Sequence, residues 1–350
     1  MHSRLQKVKE LVQDRGGDDD DDDERAREDE EDQCVECSIK IGFSIFSDGT
    51  GFRQLLDDSP TIYRTSDPLL SKVDAANFFQ DTFFNWGYQN SAIWGSGDNL
   101  ALLLDRNSGS GIQTKNQFLF GSIEMQIKLV SGNSAKVKEL VCAGTVTAYY
   151  MSSTGDQHDE IDFEFLGNVS GQPYTIHTNV FVNGVGQREQ QFYPWFDPTA
   201  DFHNYTIHWN PSQIVWFVDG IPIRVYRNYE KIGIPYPKSR AMKVYSSLWN
   251  ADNWATRGGL VKIDWSSAPF IARYRELKLR ACYWYGQGST QYCSWNTPKN
   301  WWASPQYSKL GYAQLGQLEW VRNNYMIYDY CKDVYRFHGK MPLECFQPLL

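Results

Sequence analysis

The sequence predicts an all-β domain, an antiparallel sandwich or barrel, on three observations. From Phe118 onward apolar and polar residues alternate with a period of two. The alternating runs are short, and turn dipeptides separate them at near-regular spacing: Asn183-Gly184, Asn210-Pro211 and Asp219-Gly220. No helical period of 3.6 residues lies between the runs, as crossover helices of a parallel sheet would require.

The first clear strand is 123–129, where Ile123, Met125, Ile127 and Leu129 alternate with Glu124, Gln126 and Lys128. That pattern fits a strand with one buried face. Similar runs are expected at 175–182, 205–209, 214–218, 221–226 and 243–248. A helix is expected only near the C-terminus, around 315–325.

The chain has 350 residues, 41% of them hydrophobic and 15% aromatic, enough for one large domain or two small ones. Its net charge of −8 is concentrated, because residues 18–32 hold twelve acids and two arginines. The remainder is nearly neutral, which argues against a nucleic-acid partner, since that would need a concentrated basic surface. No run approaches the ~18 uninterrupted apolar residues of a membrane helix. All thirteen tryptophans lie at or beyond Trp86. Residues 1–76 therefore read as an atypical, disordered N-terminal region, since a block of like charges repels itself and buries nothing. No basic, apolar and small-residue succession of a secretory signal is visible there. The cysteines nevertheless suggest an oxidising compartment. Cys282 and Cys293 bracket one short loop, and Cys331 and Cys345 another. Cys34, Cys37 and Cys142 are left over, and no second pair or nearby histidine makes Cys34-Val-Glu-Cys37 a zinc site.

The chemistry centres on His158-Asp-Glu-Ile-Asp-Phe-Glu-Phe-Leu-Gly167. As a strand, this segment turns Glu160, Asp162 and Glu164 to one face and Ile161, Phe163 and Phe165 to the other. The apolar face explains the strand; like charges on one surface repel and need another reason. A solvated edge or a calcium site would supply one. Retaining glycoside cleavage supplies a third, because it needs a carboxylate nucleophile and a carboxylic acid/base about 5–5.5 Å apart. On this reading Glu160 is the nucleophile, Glu164 the acid/base and Asp162 the helper that hydrogen-bonds Glu160. Alpha carbons four residues apart on a strand are ~13 Å apart, so the two long side chains must lean together. Trp195, Trp249, Trp254, Tyr149 and Tyr150 offer faces on which sugar rings stack.

Further ordered motifs carry a resemblance. They are Ser108-Gly-Ser-Gly111, His177-Thr-Asn-Val-Phe181, Arg188-Glu-Gln-Gln-Phe192, Trp195-Phe-Asp-Pro198 and Ser247-Leu-Trp-Asn-Ala-Asp-Asn-Trp-Ala-Thr-Arg-Gly-Gly259. With the acidic strand, the chain from Phe79 to Cys345 resembles the xyloglucan endotransglucosylase/hydrolases, a branch of the jelly-roll glycoside hydrolase family 16. The resemblance implies a curved antiparallel β-sandwich with a small disulfide-stapled C-terminal extension. It implies a catalytic domain over 77–275 and an extension over 276–350. It implies retaining cleavage of the β-1,4-glucan backbone of xyloglucan and transfer to a second chain, with net hydrolysis or non-catalytic glucan binding as alternatives. Sugar contacts carry over to Glu164, His177, Thr178, Asn179, Gln187, Arg188, Glu189, Trp249, Asp252, Asn253, Trp254, Gly258 and Arg336. Disulfides Cys282–Cys293 and Cys331–Cys345 and glycosylation at Asn168 (Asn168-Val-Ser170) are implied too; the sequon at Asn204 overlaps a strand start. No metal or other cofactor is required. The expected partners are the polysaccharide donor and acceptor alone, with no nucleic acid or membrane, for a monomer secreted to the cell wall.

Two segments depart from the family pattern: the N-terminal region, and about eight inserted residues at 136–143. Lys-Val-Lys-Glu-Leu-Val stands at both 7–12 and 136–141, and both segments read as translated non-coding sequence. A surface loop absorbs such an insertion at modest cost, whereas a register slip in the next strand would turn its side chains to the wrong face.

Overall fold

The computed structural model describes residues 76–131, 142–169 and 171–348. The acidic run, Cys34, Cys37 and both copies of the repeated hexapeptide lie outside the described residues. A one-turn helix, α1 (Phe78–Asp81), leads into β1 (Thr82–Trp86), β2 (Ser91–Trp94), β3 (Asn99–Leu104), β4 (Ser110–Thr114) and β5 (Phe118–Lys128). There follow β6 (Thr145–Ser152), β7 (Glu160–Leu166), β8 (Thr175–Phe181), β9 (Gln190–Phe192) and β10 (His203–Trp209). Next come β11 (Gln213–Val218), β12 (Ile221–Arg227), β13 (Lys243–Asn250) and β14 (Phe270–Tyr283). The chain closes with α2 (Gly288–Ser294), α3 (Tyr312–Asn324) and β15 (Met326–Asp329).

Two antiparallel sheets result. One has the order β1-β4-β13-β6-β7-β8-β9-β15, the other β12-β11-β10-β5-β14-β3-β2. Each alternating run found in the sequence lies in a strand, and the C-terminal helical run in α3, to within one residue at the ends. The turn dipeptides behave as their chemistry requires. Asn183 and Gly184 take φ 53° and 74°, and Asp219 and Gly220 take 49° and 79°, the left-handed pair that closes a tight hairpin. Asn210 instead uses its side chain, whose Oδ1 accepts from the amides of Ser212 and Gln213 at 2.8 and 3.0 Å.

The core lies between the sheets and fixes the register of β7. Ile161, Phe163 and Phe165 are fully buried, and Phe163 and Phe165 meet Tyr205 of β10 at 5.7 and 4.6 Å between ring centroids. Trp216 of β11 donates its indole N–H to the Asp162 carbonyl at 2.9 Å. Each buried phenylalanine contributes roughly 1.5–3 kcal/mol, so a one-residue slip that exposed them is strongly disfavoured. The strand after the insertion has not slipped. It pairs with β7 without interruption, from Val146 opposite Leu166 to Ser152 opposite Glu160.

The C-terminal part reaches both sheets. β15, too short to show a period in sequence, pairs with β9 at the edge of the eight-stranded sheet, and α3 packs on β12 of the other. β14 runs unbroken through 275 and 276, so the domain boundary expected there falls inside a strand, next to a register shift between Arg275 and Lys278. Cys282–Cys293 and Cys331–Cys345 are disulfides, and Cys142 is a buried free thiol.

Candidate active site

Period-two geometry puts Glu160, Asp162 and Glu164 together on the outer face of the eight-stranded sheet, opposite the buried Ile161, Phe163 and Phe165. Cross-strand register then decides their neighbours. Glu164 lies between Ala148 and His177, Asp162 between Tyr150 and Asn179, and Glu160 between Ser152 and Phe181.

Burial and mutual repulsion set the protonation of the three acids. Burial pushes Glu164 up to about 7, with the charges of Glu160 and Glu189 adding to it. Burial likewise raises Asp162 well above the usual carboxylate range, reinforced by Glu160 and Glu164 on either side. Burial also raises Glu160, but hydrogen bonds from Ser152 and Asp162 and the nearby His158 oppose the shift. The Asp162–Glu160 hydrogen bond therefore favours a proton on Asp162 and a charge on Glu160. The His158 ring stands 3.9 Å from the Glu160 carboxylate and stacks on Phe181. Burial keeps His177 neutral, with its pKa lowered to about 4.

Other sequence-expected residues gather around this strand. Trp249 and Trp254 lie 6.0 Å apart, and Trp254 meets the His177 ring edge-on at 6.3 Å. A surface depression next to His177, the cross-strand partner of Glu164, is lined by Leu166, His177, Gln191, Trp254 and Gly258, among others. Gly258 takes φ 66° with open space around it. Asn253 and Gln187 are exposed. Asp252 anchors its loop, its carboxylate accepting the Ile263 amide at 2.7 Å. Asn179 accepts the Arg188 amide at 3.1 Å. Arg336 grips Glu189 through both carboxylate oxygens, at 2.6 and 3.0 Å, and also donates to Tyr328. Burial alone would raise Glu189, yet the Arg336 hydrogen bonds and charge hold it below its usual value.

Two residues expected as sugar contacts point elsewhere in the structure. Thr178 pairs with Phe163, so it faces the core; it has no exposed surface, its hydroxyl donates to the Gln190 carbonyl and it accepts from Arg224. Arg188 also turns away, with Nε on Glu344 at 2.7 Å and a terminal nitrogen on the Val185 carbonyl at 2.8 Å. Among the aromatics, Tyr149 is a core residue stacked on Phe163, and Trp195 packs on Trp320 and Tyr325 of the C-terminal part. Tyr150 does face the acids, stacked on Tyr245 at 5.0 Å. Asn168 donates its amide to the Pro173 carbonyl at 3.0 Å, and Ser170 of its sequon lies outside the described residues. The Asn204 amide reaches Thr206 at 3.1 Å. Among the described residues no group of three or more His, Cys, Asp or Glu side chains could hold a metal ion. No described helix is long and apolar enough to cross a membrane.

Sequence reasoning missed the residue beneath the site. Arg224 of β12 is buried to 1% exposure, donates to the Thr178 carbonyl and hydroxyl at 2.7 and 2.8 Å, and lies 4.7 Å from the Trp216 ring. It reads in sequence as an ordinary outward residue of an alternating strand. Arg224→Met keeps the bulk but leaves those acceptors unpaired, so chemical denaturation should show a loss of ~2–4 kcal/mol. An unchanged denaturation midpoint would show that the guanidinium supports nothing.

The family model for glycosyl hydrolases family 16 matches residues 80–267, and that for the xyloglucan endo-transglycosylase (XET) C-terminus matches 296–345. The chain is 52% identical over 274 residues to "Xyloglucan endotransglucosylase protein 7" of Diospyros kaki, covering 78% of this chain and 98% of that one. It is 54% identical over 272 residues to "Probable xyloglucan endotransglucosylase/hydrolase protein 23" of Arabidopsis thaliana, covering 77% and 91%. Among solved structures, a Bacillus licheniformis beta-glucanase matches with TM-score 0.44 and 21% identity over 59% of this chain and 92% of that one.

Proposed function

Because this chain belongs to the xyloglucan endotransglucosylase/hydrolases of glycosyl hydrolases family 16, we propose that Glu160, Asp162 and Glu164 carry its reaction. The enzyme acts on xyloglucan, by transglycosylation or hydrolysis, through retaining chemistry. Glu160 attacks the anomeric carbon while Glu164 protonates the departing glucan, leaving a covalent glycosyl-enzyme. Glu164, now a carboxylate, takes the proton of an incoming 4-hydroxyl, which displaces Glu160 and restores the configuration. Asp162 holds its proton toward Glu160 and keeps the nucleophile ionised.

The supporting observation is the placement of the three acids on one strand face, where burial raises Glu164 to about 7 while hydrogen bonds from Ser152 and Asp162 oppose the rise at Glu160. Transfer is the favoured outcome, because a bound acceptor hydroxyl reaches effective molarities of about 10⁵–10⁸ M against water. The Glu189–Arg336 pair and Trp254 flank Glu164 where that acceptor would lie. The chain works as a monomer in the cell wall, on polysaccharide donor and acceptor, and Asn168 carries a glycan.

A labelled xyloglucan oligosaccharide offered with unlabelled polymer tests this reading. Label should enter long chains without a matching rise in reducing ends. Steady release of reducing ends with no label in polymer would establish net hydrolysis instead, and binding without either would leave only a lectin.

A further inference from the structure

β1 contains a bulge. Phe84 pairs with Ile112, but the next pair is Trp86 with Gly111, so Asn85 has no partner. In an unbroken strand Trp86 would share the inward face of Thr82 and Phe84, because successive side chains alternate. The extra residue turns it to the outer face with Phe83, an effect typical of bulges beside functional sites. Phe83 and Trp86 are 43% and 39% exposed.

The indole has a seat that only glycine provides. A Cβ at Gly111 would collide with its five-membered ring, and one at Gly109 would crowd the edge of its six-membered ring. Gly111 stands in direct register with Ser247, Ser247 with Ala148, and Ala148 with Glu164. The indole, lying over Gly111, therefore stands on the cross-strand row of Glu164, three strand spacings or ~14 Å from it, a span of roughly three pyranose rings. Between them the floor is made of small side chains, Ser247 and Ala148, and Tyr245 and Trp249 stand partly exposed on the neighbouring positions of β13. A broad ring turned outward by an inserted residue gains less from burial than the inward position would give.

We infer that Trp86, seated on Gly109 and Gly111, is a stacking platform for a backbone pyranose of the polysaccharide about three rings from the cleaved bond. The inference rests on the glycosidic role of Glu160 and Glu164 and extends the binding groove to the sheet edge opposite β15.

The test is steady-state kinetics of wild type and Trp86→Ala on xyloglucan oligosaccharides of increasing length. The ratio of variant to wild-type KM should grow with chain length to about tenfold, equivalent to ~1.4 kcal/mol, with kcat within about twofold. Gly111→Ala, which displaces the indole without deleting it, should show the same length dependence, and Trp86→Tyr should recover most of the affinity. A KM ratio that stays at unity, or rises equally at every length, in both Trp86→Ala and Gly111→Ala would overturn the platform. A wild type that turns over none of these substrates would overturn the glycosidic reading instead.

Discussion

Glu160→Ala should abolish cleavage and transfer together, lowering kcat on xyloglucan by about 10⁴-fold or more, the scale on which removal of a nucleophile acts. The truncation leaves no oxygen to form the glycosyl-enzyme, so no intermediate is available for water or acceptor. Folding should survive, because Glu160 is partly exposed and its neighbours are acids that it repels. An unfolding midpoint close to wild type, with label transfer lost, is the expected pair of results. A folded variant that kept more than about 1% of kcat would remove Glu160 from the nucleophile's role.

Glu164→Gln separates catalysis from stability in one substitution. The amide cannot protonate the departing glucan, so kcat should fall by about 10²–10⁴-fold. In the wild type the Glu164 carboxyl is raised to about 7, so its proton is lost as pH rises through that value. Activity should therefore decline above about pH 7, while the acid limb is set by ionisation of Glu160, itself raised from the usual range. The stability consequence has the opposite sense to an ordinary salt bridge. Between the unfolded and folded values the folded state binds the proton that the unfolded chain releases, so stability falls with rising pH across that window. Above about pH 7 the full cost remains, of order 3 kcal/mol at 1.36 kcal/mol per unit. Glu164→Gln never carries that charge. It should unfold at higher denaturant than wild type at pH 8, with the gain vanishing near pH 4. An equal midpoint at both pH values would mean that burial does not perturb this carboxyl.

The strand pattern and the acidic face were legible because both follow from local geometry. Alternation in β7 dictated that Glu160, Asp162 and Glu164 share a face, whatever they met across it. The same alternation sends Thr178, between His177 and Asn179, to the core side, whereas the motif resemblance implies a sugar contact there. Arg188 is a different case. It lies outside any strand, and only the position of Glu344, 156 residues away, shows where its guanidinium goes. β15 escaped because four residues after a helix contain too little alternation to mark a strand.

By itself the sequence determined an antiparallel all-β class, sandwich or barrel, with the two staples and the trio of acids, since each depends on alternation, turn chemistry or short cysteine spacing. Tertiary structure alone decided what surrounds them. Register across β6, β7 and β8 chose Ser152, Tyr150 and His177 as the acids' neighbours, the sheet behind supplied Arg224, and a single bulge turned Trp86 outward. The physical reason is range. A strand's faces are fixed within a few residues, whereas protonation and ligand contacts depend on charges and surfaces brought together from distant parts of the chain.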